Sequence, residues 1–196
     1  MRHDHQISGW AFRLRPVTVA DAELIIELRG GAGDRARFLH PISPDPTLQR
    51  EWITRYLARE NDYYWVIERL DGRRCEGLIG IYDLKPAERM AEWGRWILRP
   101  DSLAAAESAL LIYRAAFETL KLDSMYCLTI ADNLPVVSFH DSCGMPRVDL
   151  LRQHLELGGQ KFDAVKHLCT QENFATVRQR LEPQAQLIAR RLQRSK

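Results

Sequence analysis

Three strand-like runs follow one another between Tyr63 and Arg99 with only short links, and helical patterns lie on both sides of them. Tyr63–Leu70 is aromatic and β-branched, as a pleated, half-buried surface requires. Asp71-Gly72 then supplies a turn, Glu76–Tyr82 returns, and Glu88–Arg99 follows across a loop around Pro86. Strands joined by links this short pair antiparallel. The middle of the chain is therefore an antiparallel meander, and the rest must pack around it.

Before the meander, Phe12, Leu14 and Pro16 alternate with two arginines and predict a strand. Thr18 followed by Asp21 marks a helix start. The stretch from Gly30 to Pro46 reads as a long loop, and a second helix runs from about Thr47 to Glu60. After the meander, Ser102 is placed to cap a helix over Leu103–Leu120. Ser124–Ile130 predicts a strand and Leu134–Ser142 a helix stopped by Gly144. Arg147–Leu157 and Lys161–Thr170 predict two strands joined at Gly158-Gly159. A helical tail begins near Glu172, with a break expected at Pro183. Interleaved helices and a largely antiparallel strand set predict a mixed α/β sandwich. Its expected organisation is an N-terminal extension (1–11), one domain (12–170) and a C-terminal helical tail (171–196).

Composition narrows the function. The 196 residues carry a net charge of +2 with both signs mixed along the chain, which predicts neither a general nucleic-acid partner nor a membrane surface. No apolar run approaches the roughly 20 residues of a membrane span. The N-terminus lacks an apolar signal core. The four cysteines form no CxxC pair, which fits reduced thiols and predicts a cytoplasmic protein with no metal site. Eleven glycines are placed unevenly, with none between Gly94 and Gly144.

The order of these elements and several local phrases resemble the GNAT superfamily of N-acetyltransferases over roughly Phe12–Thr170. "LRPVTVADAELIIELR" resembles that family's opening strand and helix, "YYWVIE" with "GLIGIYDL" its next two strands, and "LDSMYCLTIADN" with "VVSFHDSCGM" its later strand and helix. The phrases "REWI" at Arg50–Ile53 and "AEWG" at Ala91–Gly94 resemble members that acetylate the amino group of nucleotide-linked amino sugars in surface-glycan pathways. Protein N-terminal acetyltransferases of the ribosomal-protein type share much of this pattern, so a protein N-terminal or small-amine acetyltransferase is the alternative, and a GNAT-fold binding protein without catalysis is a third.

The resemblance implies acetyl-CoA as donor and a primary amine of a small molecule as acceptor. It places the cofactor over Ile97, Leu98, Arg99 and Ser102, the helix start Ala104, Ala105 and Ala106, and Asn133. The family's phosphate-binding glycines are replaced here by alanines, with Ala104 and Ala106 as the equivalents. Alanine still presents a backbone N–H but does not take positive φ cheaply, so the turn must be more helical or the CoA phosphates must sit slightly differently. Asp101 adds a negative charge near the expected phosphates, with Arg99 and Ser102 available to offset it. The family's acid is a tyrosine seven residues after the asparagine. Counting from Asn133 reaches His140, an imidazole that would protonate the CoA thiolate.

Two carboxylates compete as the base. Glu92 lies in the central strand and Asp83 ends the preceding one. Arg35, Arg37 and His40 would meet a nucleotide diphosphate, while Trp52, Tyr56 and Trp93 offer ring faces to a base or sugar. The plain alternatives are core aromatics, solvated arginines and ion-paired carboxylates. The basic tail, with Arg190, Arg191, Arg194 and Lys196, is a terminal helix packed on its own domain or on a second copy in a homodimer, or a surface for an acidic partner.

Overall fold

The computed structural model describes residues 3–30 and 38–194. Among the described residues, eight strands form one sheet in the order β1-β2-β3-β4-β5-β6-β8-β7. They are β1 (Ile7–Ser8), β2 (Phe12–Pro16), β3 (Tyr63–Arg69), β4 (Cys75–Lys85), β5 (Met90–Leu98), β6 (Ser124–Ile130), β7 (Arg147–Leu157) and β8 (Gln160–Thr170). Every neighbouring pair is antiparallel except β5 and β6. That exception follows from the helix between them, because a parallel pair needs a long crossover.

The helices are α1 (Ala22–Gly30), α2 (Pro46–Leu57), α3 (Ala105–Arg114), α4 (Leu134–Ser142) and α5 (Phe174–Arg194). The expected mixed, largely antiparallel sheet flanked by helices is what the chain forms. Alternate residues of one strand fall into different cores. Tyr64 and Val66 pack with Ile25, Ile53 and Tyr56 of α1 and α2. Trp65 and Ile67 pack with Leu110 and Leu111 of α3 and with Val177 and Leu181 of α5.

Local chemistry explains the element ends. The Asp21 carboxylate accepts from the Thr18 amide at 2.8 Å and the Thr18 hydroxyl at 3.0 Å, closing the turn that opens α1. Arg15 clamps the same carboxylate with two hydrogen bonds, which holds the Asp21 carboxyl below its usual range against the penalty of burial. Asp45 caps α2 through the Thr47 amide at 2.7 Å, with Pro46 in the first turn.

Two expectations are corrected. The third helix begins at Ala105, and Ala104 occupies the cap position rather than Ser102. The Ser102 hydroxyl instead accepts from the Ala104 amide at 3.2 Å, fastening the turn before the helix. The last turn of that helix, Ala115–Thr119, is π-helical. The tail does not break at Pro183 either: α5 continues through it. A mid-helix proline costs about 3 kcal/mol. Here Val177, Leu181, Ala185 and Ala189 form one buried stripe on both sides of it, while Pro183 itself is exposed. Packing of that stripe keeps the helix whole.

Candidate active site

The sheet opens between β5 and β6. Their pairing runs Met90↔Ser124, Ala91↔Met125 and Glu92↔Tyr126, then stops. β5 continues to Leu98 against β4, and β6 continues to Ile130 against β8. Past Glu92 and Tyr126 the two strands therefore present facing edges that do not bond to each other. Edge amides and carbonyls of this kind demand partners.

Two bulges shape the opening. On β5, Gly80 pairs with Gly94 but Leu78 pairs with Ile97, so β5 holds one extra residue, and Arg95 there has a φ of +50°. On β4, Tyr82 pairs with Glu92 and Lys85 with Met90, so β4 also holds an extra residue, and Asp83 has a φ of +51°. The first bulge switches the side-chain alternation: Trp93 points into the α3–α5 core, yet Ile97 packs with the α1–α2 core. Arg95 is tied to Asp62 by hydrogen bonds of 2.5 and 3.0 Å and lies 4.4 Å over the Tyr82 ring.

A cavity of about 260 Å³ occupies the apex of the opening, bounded by Glu92, Trp96, Thr129, Asn133 and His140. A second, of about 550 Å³, continues along α3 and α4 past Leu98, Arg99, Ser102 and Ala105. Trp96, Ile97, Asn133 and Val136 line both. The Trp96 indole donates to the Ser108 hydroxyl of α3 at 3.2 Å, which fixes the shared wall. A third cavity of about 490 Å³ lies between α1 and α2, lined by Gln49, Trp52, Arg55 and Tyr64, and shares Arg29 and His40 with the first.

Glu92 is half-buried and accepts a hydrogen bond from the Tyr82 hydroxyl at 3.1 Å. Burial pushes its carboxyl above the ordinary range, and the charge of Asp83 adds to the rise against the hydrogen bond from Tyr82. Asp83 is exposed and accepts from the buried Tyr126 hydroxyl at 2.9 Å. His140 is 2% exposed, with Trp93, Trp96, Phe139 and His167 around its ring. Burial lowers its pKa to about 3, and the nearby His167 adds to the fall. His167 is itself buried and bonds Asp141 at 3.1 Å through Nε2.

The cofactor residues expected from the sequence gather on the larger cavity. Ile97, Leu98, Arg99, Ser102, Ala105 and Asn133 line it, while Ala104 and Ala106 are buried behind them. No residue from Arg99 to Ala106 has positive φ, so the alanine turn is more helical, as alanine demands. The first amides of α3 lie before the bond from Ser108 to the Ala104 carbonyl, so Ala105, Ala106 and Glu107 have no intrahelical acceptor. Asp101 is turned away into an ion pair with Arg74 at 2.8 Å. Arg99 is committed to Glu27 and to the Cys75 carbonyl. Asn133 begins α4 without a side-chain cap bond, which leaves its amide facing both cavities.

Of the expected acceptor residues, His40 lines two cavities and Trp52 lines the third, stacked on Tyr56 at 5.5 Å. Trp93 is 1% exposed and packs edge-on against Tyr113, so its ring belongs to the core. Arg35 and Arg37 lie outside the described residues. Sequence reading missed Arg29, Tyr82 and Tyr126. Arg29 stands in the last turn of α1, and its buried Nε has no partner among the described residues. The two tyrosines read as ordinary strand residues, and no sequence signal separates them from core packing.

Residues 12–146 match the family model described as the acetyltransferase (GNAT) domain. Among solved structures, FdhC, a nucleotide-linked sugar GNAT, is 28% identical over 90% of this chain and 96% of that one, with a TM-score of 0.72. A GCN5-related N-acetyltransferase from Brucella melitensis is 16% identical over 92% of this chain and 85% of its own, with a TM-score of 0.78. The spermidine N-acetyltransferase SpeG from Vibrio cholerae, as a point mutant, is 17% identical over 85% of this chain and 97% of its own, at 0.72. These last two are likenesses of fold. Comparison with curated protein sequences yields no match.

Proposed function

The chain belongs to the GNAT acetyltransferase family, the acyl-CoA-dependent N-acetyltransferases, and from that premise we propose that it acetylates the primary amine of a nucleotide-linked amino sugar. Arg29 carries the acceptor half of this reading. It lines both the cavity that holds Glu92 and the larger one beside Trp52 and Arg55; its Nη2 donates to the His40 carbonyl at 3.0 Å, while its buried Nε is unpartnered among the described residues. A guanidinium so placed suits a diphosphate, and Trp52 offers one ring face to a base. An acceptor amine beside Glu92 would then lead through its sugar and diphosphate into the second cavity. In the second cavity Arg29 and Arg55, the latter paired with Glu51 at 3.8 Å, outweigh the acidic groups and disfavour a polyamine there.

The donor half rests on the opening itself. Acetyl-CoA fits with its pantetheine arm between the free edges of β5 and β6 and its pyrophosphate at the first amides of α3. Asn133 stands where it can bond the arm. Glu92, with its raised carboxyl, takes a proton from the amine as the nitrogen attacks the thioester carbonyl. The carbon–sulfur bond breaks and the thiolate leaves on the His140 side. At a pKa of about 3, His140 is neutral near pH 7. In this reading the acid role given to His140 from the sequence becomes that of a neutral N–H that steadies the sulfur by a hydrogen bond.

Free-thiol release during incubation with acetyl-CoA and a panel of nucleotide-linked amino sugars, spermidine and peptides tests both halves. Turnover is expected with an amino-sugar nucleotide. Arg29→Met should raise its KM about ten- to hundredfold, the loss of a charge-assisted contact. Turnover of spermidine or peptides alone would remove the acceptor assignment. No thermal shift with millimolar acetyl-CoA would remove the donor site.

A further inference from the structure

Asp83 and Glu92 read from the sequence as rival bases, but the geometry joins them through a third side chain. Glu92 and Tyr126 are the last registered pair before β5 and β6 part, so their side chains stand side by side on one face. The Tyr126 hydroxyl reaches across β5 to the Asp83 carboxylate on β4, at 2.9 Å. Consecutive strand residues face opposite sides, so a regular β4 would send Asp83 away from the face that carries Tyr82. The bulge prevents this. It holds Asp83 in the left-handed region at +51°, which costs a non-glycine residue on the order of 1 kcal/mol. Strain retained beside a reacting group calls for a function.

We propose that Tyr126 and Asp83 return the proton captured by Glu92 to solvent. The inference rests on Glu92 being the base. Each turnover leaves Glu92 protonated in a half-buried position. Its O–H proton passes to the Tyr126 oxygen as the Tyr126 proton passes to the Asp83 carboxylate. Exposed Asp83 then gives the proton to water or buffer, and Glu92 is again a carboxylate. Among the described residues, the other charged or titratable groups facing this chain are Tyr82 on β4, Arg95 on β5, the buried Cys127 thiol on β6 and Lys166 on β8, whose ammonium lies 4.7 Å over the Tyr126 ring. Asp83 and Tyr126 are thus positioning and relay groups, distinct from the base.

The test uses Tyr126→Phe and Asp83→Asn, both close in shape, with asparagine as tolerant of positive φ as aspartate. Blocking the exit should make it rate-limiting. We expect kcat to fall about tenfold in each variant, with acetyl-CoA affinity unchanged and a larger solvent deuterium isotope effect. Added imidazole buffer should restore kcat in Asp83→Asn and leave wild type unmoved. A loss of rate without buffer rescue or a changed isotope effect would mean a purely structural bond, and unchanged kcat would mean no relay. Either result overturns the proposal. Full activity in Glu92→Gln would instead overturn the base assignment, so the two failures are separable.

Discussion

Glu92 and His140 stand on opposite sides of the opening between β5 and β6, both withdrawn from water, and burial moves their protons in opposite directions. Each is pushed toward its uncharged form. The Glu92 carboxyl rises above the ordinary range, toward the pH at which a base must work. The His140 imidazole falls to about 3, away from it. The carboxylate side also keeps polar company, with Tyr82, Tyr126 and Asp83 linked by hydrogen bonds. On the imidazole side, Trp93, Trp96, Phe139 and the Asp141-bonded His167 surround His140, and its buried Nδ1 has no partner among the described residues. On the proposed reading, one side moves a proton and the other holds a neutral imidazole. A residue type alone does not assign its role, because the same desolvation raises the proton affinity of the carboxylate and leaves the imidazole without a second proton to give near pH 7.

The comparison breaks first at Glu92. Glu92→Gln is expected to lower kcat/KM by about 100- to 10,000-fold, the usual range for losing a general base. Acetyl-CoA affinity, measured by calorimetry, should stay the same. In the wild type, kcat/KM should climb with pH through an ionisation above the normal carboxylate range, and the variant should lose that limb. Retained activity would leave the carboxylate side without its chemical role.

On the opposite side, the expected signature lies in stability. The folded pKa of His140 lies below its ordinary 6.5, so the unfolded chain takes up the proton first. Stability is therefore full above 6.5 and is lost as pH falls from there toward about 3. At pH 5 the loss should reach about 2 kcal/mol, roughly thirtyfold in the folding equilibrium. His140→Leu removes a ring whose Nδ1 is unpartnered among the described residues and should flatten the dependence between pH 7.5 and 5 by that amount in denaturant titrations. Its kcat should fall only about tenfold, with no imidazole limb lost from the pH–rate profile. A lost limb near neutrality would restore His140 as a proton donor.

Much of this contrast was legible in the sequence, and the illegible part has a physical cause. Hydrophobic period gave the strands and helices, and counting from Asn133 and along "AEWG" reached His140 and Glu92. Period does not report bulges. Asp83 and Arg95 adopt positive φ without being glycines, so the residues that turn the site carry no local mark. Burial is likewise a tertiary property. The sequence offers His140 with its ordinary titration, and only packing against Trp93, Trp96 and His167 removes it. Pro183 teaches the same lesson in reverse, since a strong local signal yields to the buried stripe of α5.

Gly94 sharpens the carboxylate side. A Cβ there would lie 2.4 Å from the Tyr82 hydroxyl oxygen, so alanine must push the phenol off Glu92. That hydrogen bond holds the Glu92 carboxyl down against burial. Gly94→Ala should therefore move the ascending limb of kcat/KM to higher pH and lower the rate near neutrality about tenfold. Tyr82→Phe should move the limb the same way without the steric displacement. If the limb stays in place in both, Tyr82 does not tune the base.

The smallest effect concerns the entrance shared by the two sides, where the expected pyrophosphate meets the start of α3. Asp101 stands beside that turn, and its charge would repel phosphates if it faced them. Arg74 holds it instead, with hydrogen bonds of 2.8 and 2.9 Å to the two carboxylate oxygens. The pair is solvent-exposed, so its influence is weak and screened by salt. Arg74→Ala should weaken acetyl-CoA binding about two- to fivefold at low ionic strength, and less at high salt. Adding Asp101→Asn to that variant should recover the affinity, because the repulsion then has no source. If the double variant binds as weakly as the single one, Arg74 acts on the phosphates directly, and the alanine turn depends on a side-chain cation as well as on its own amides.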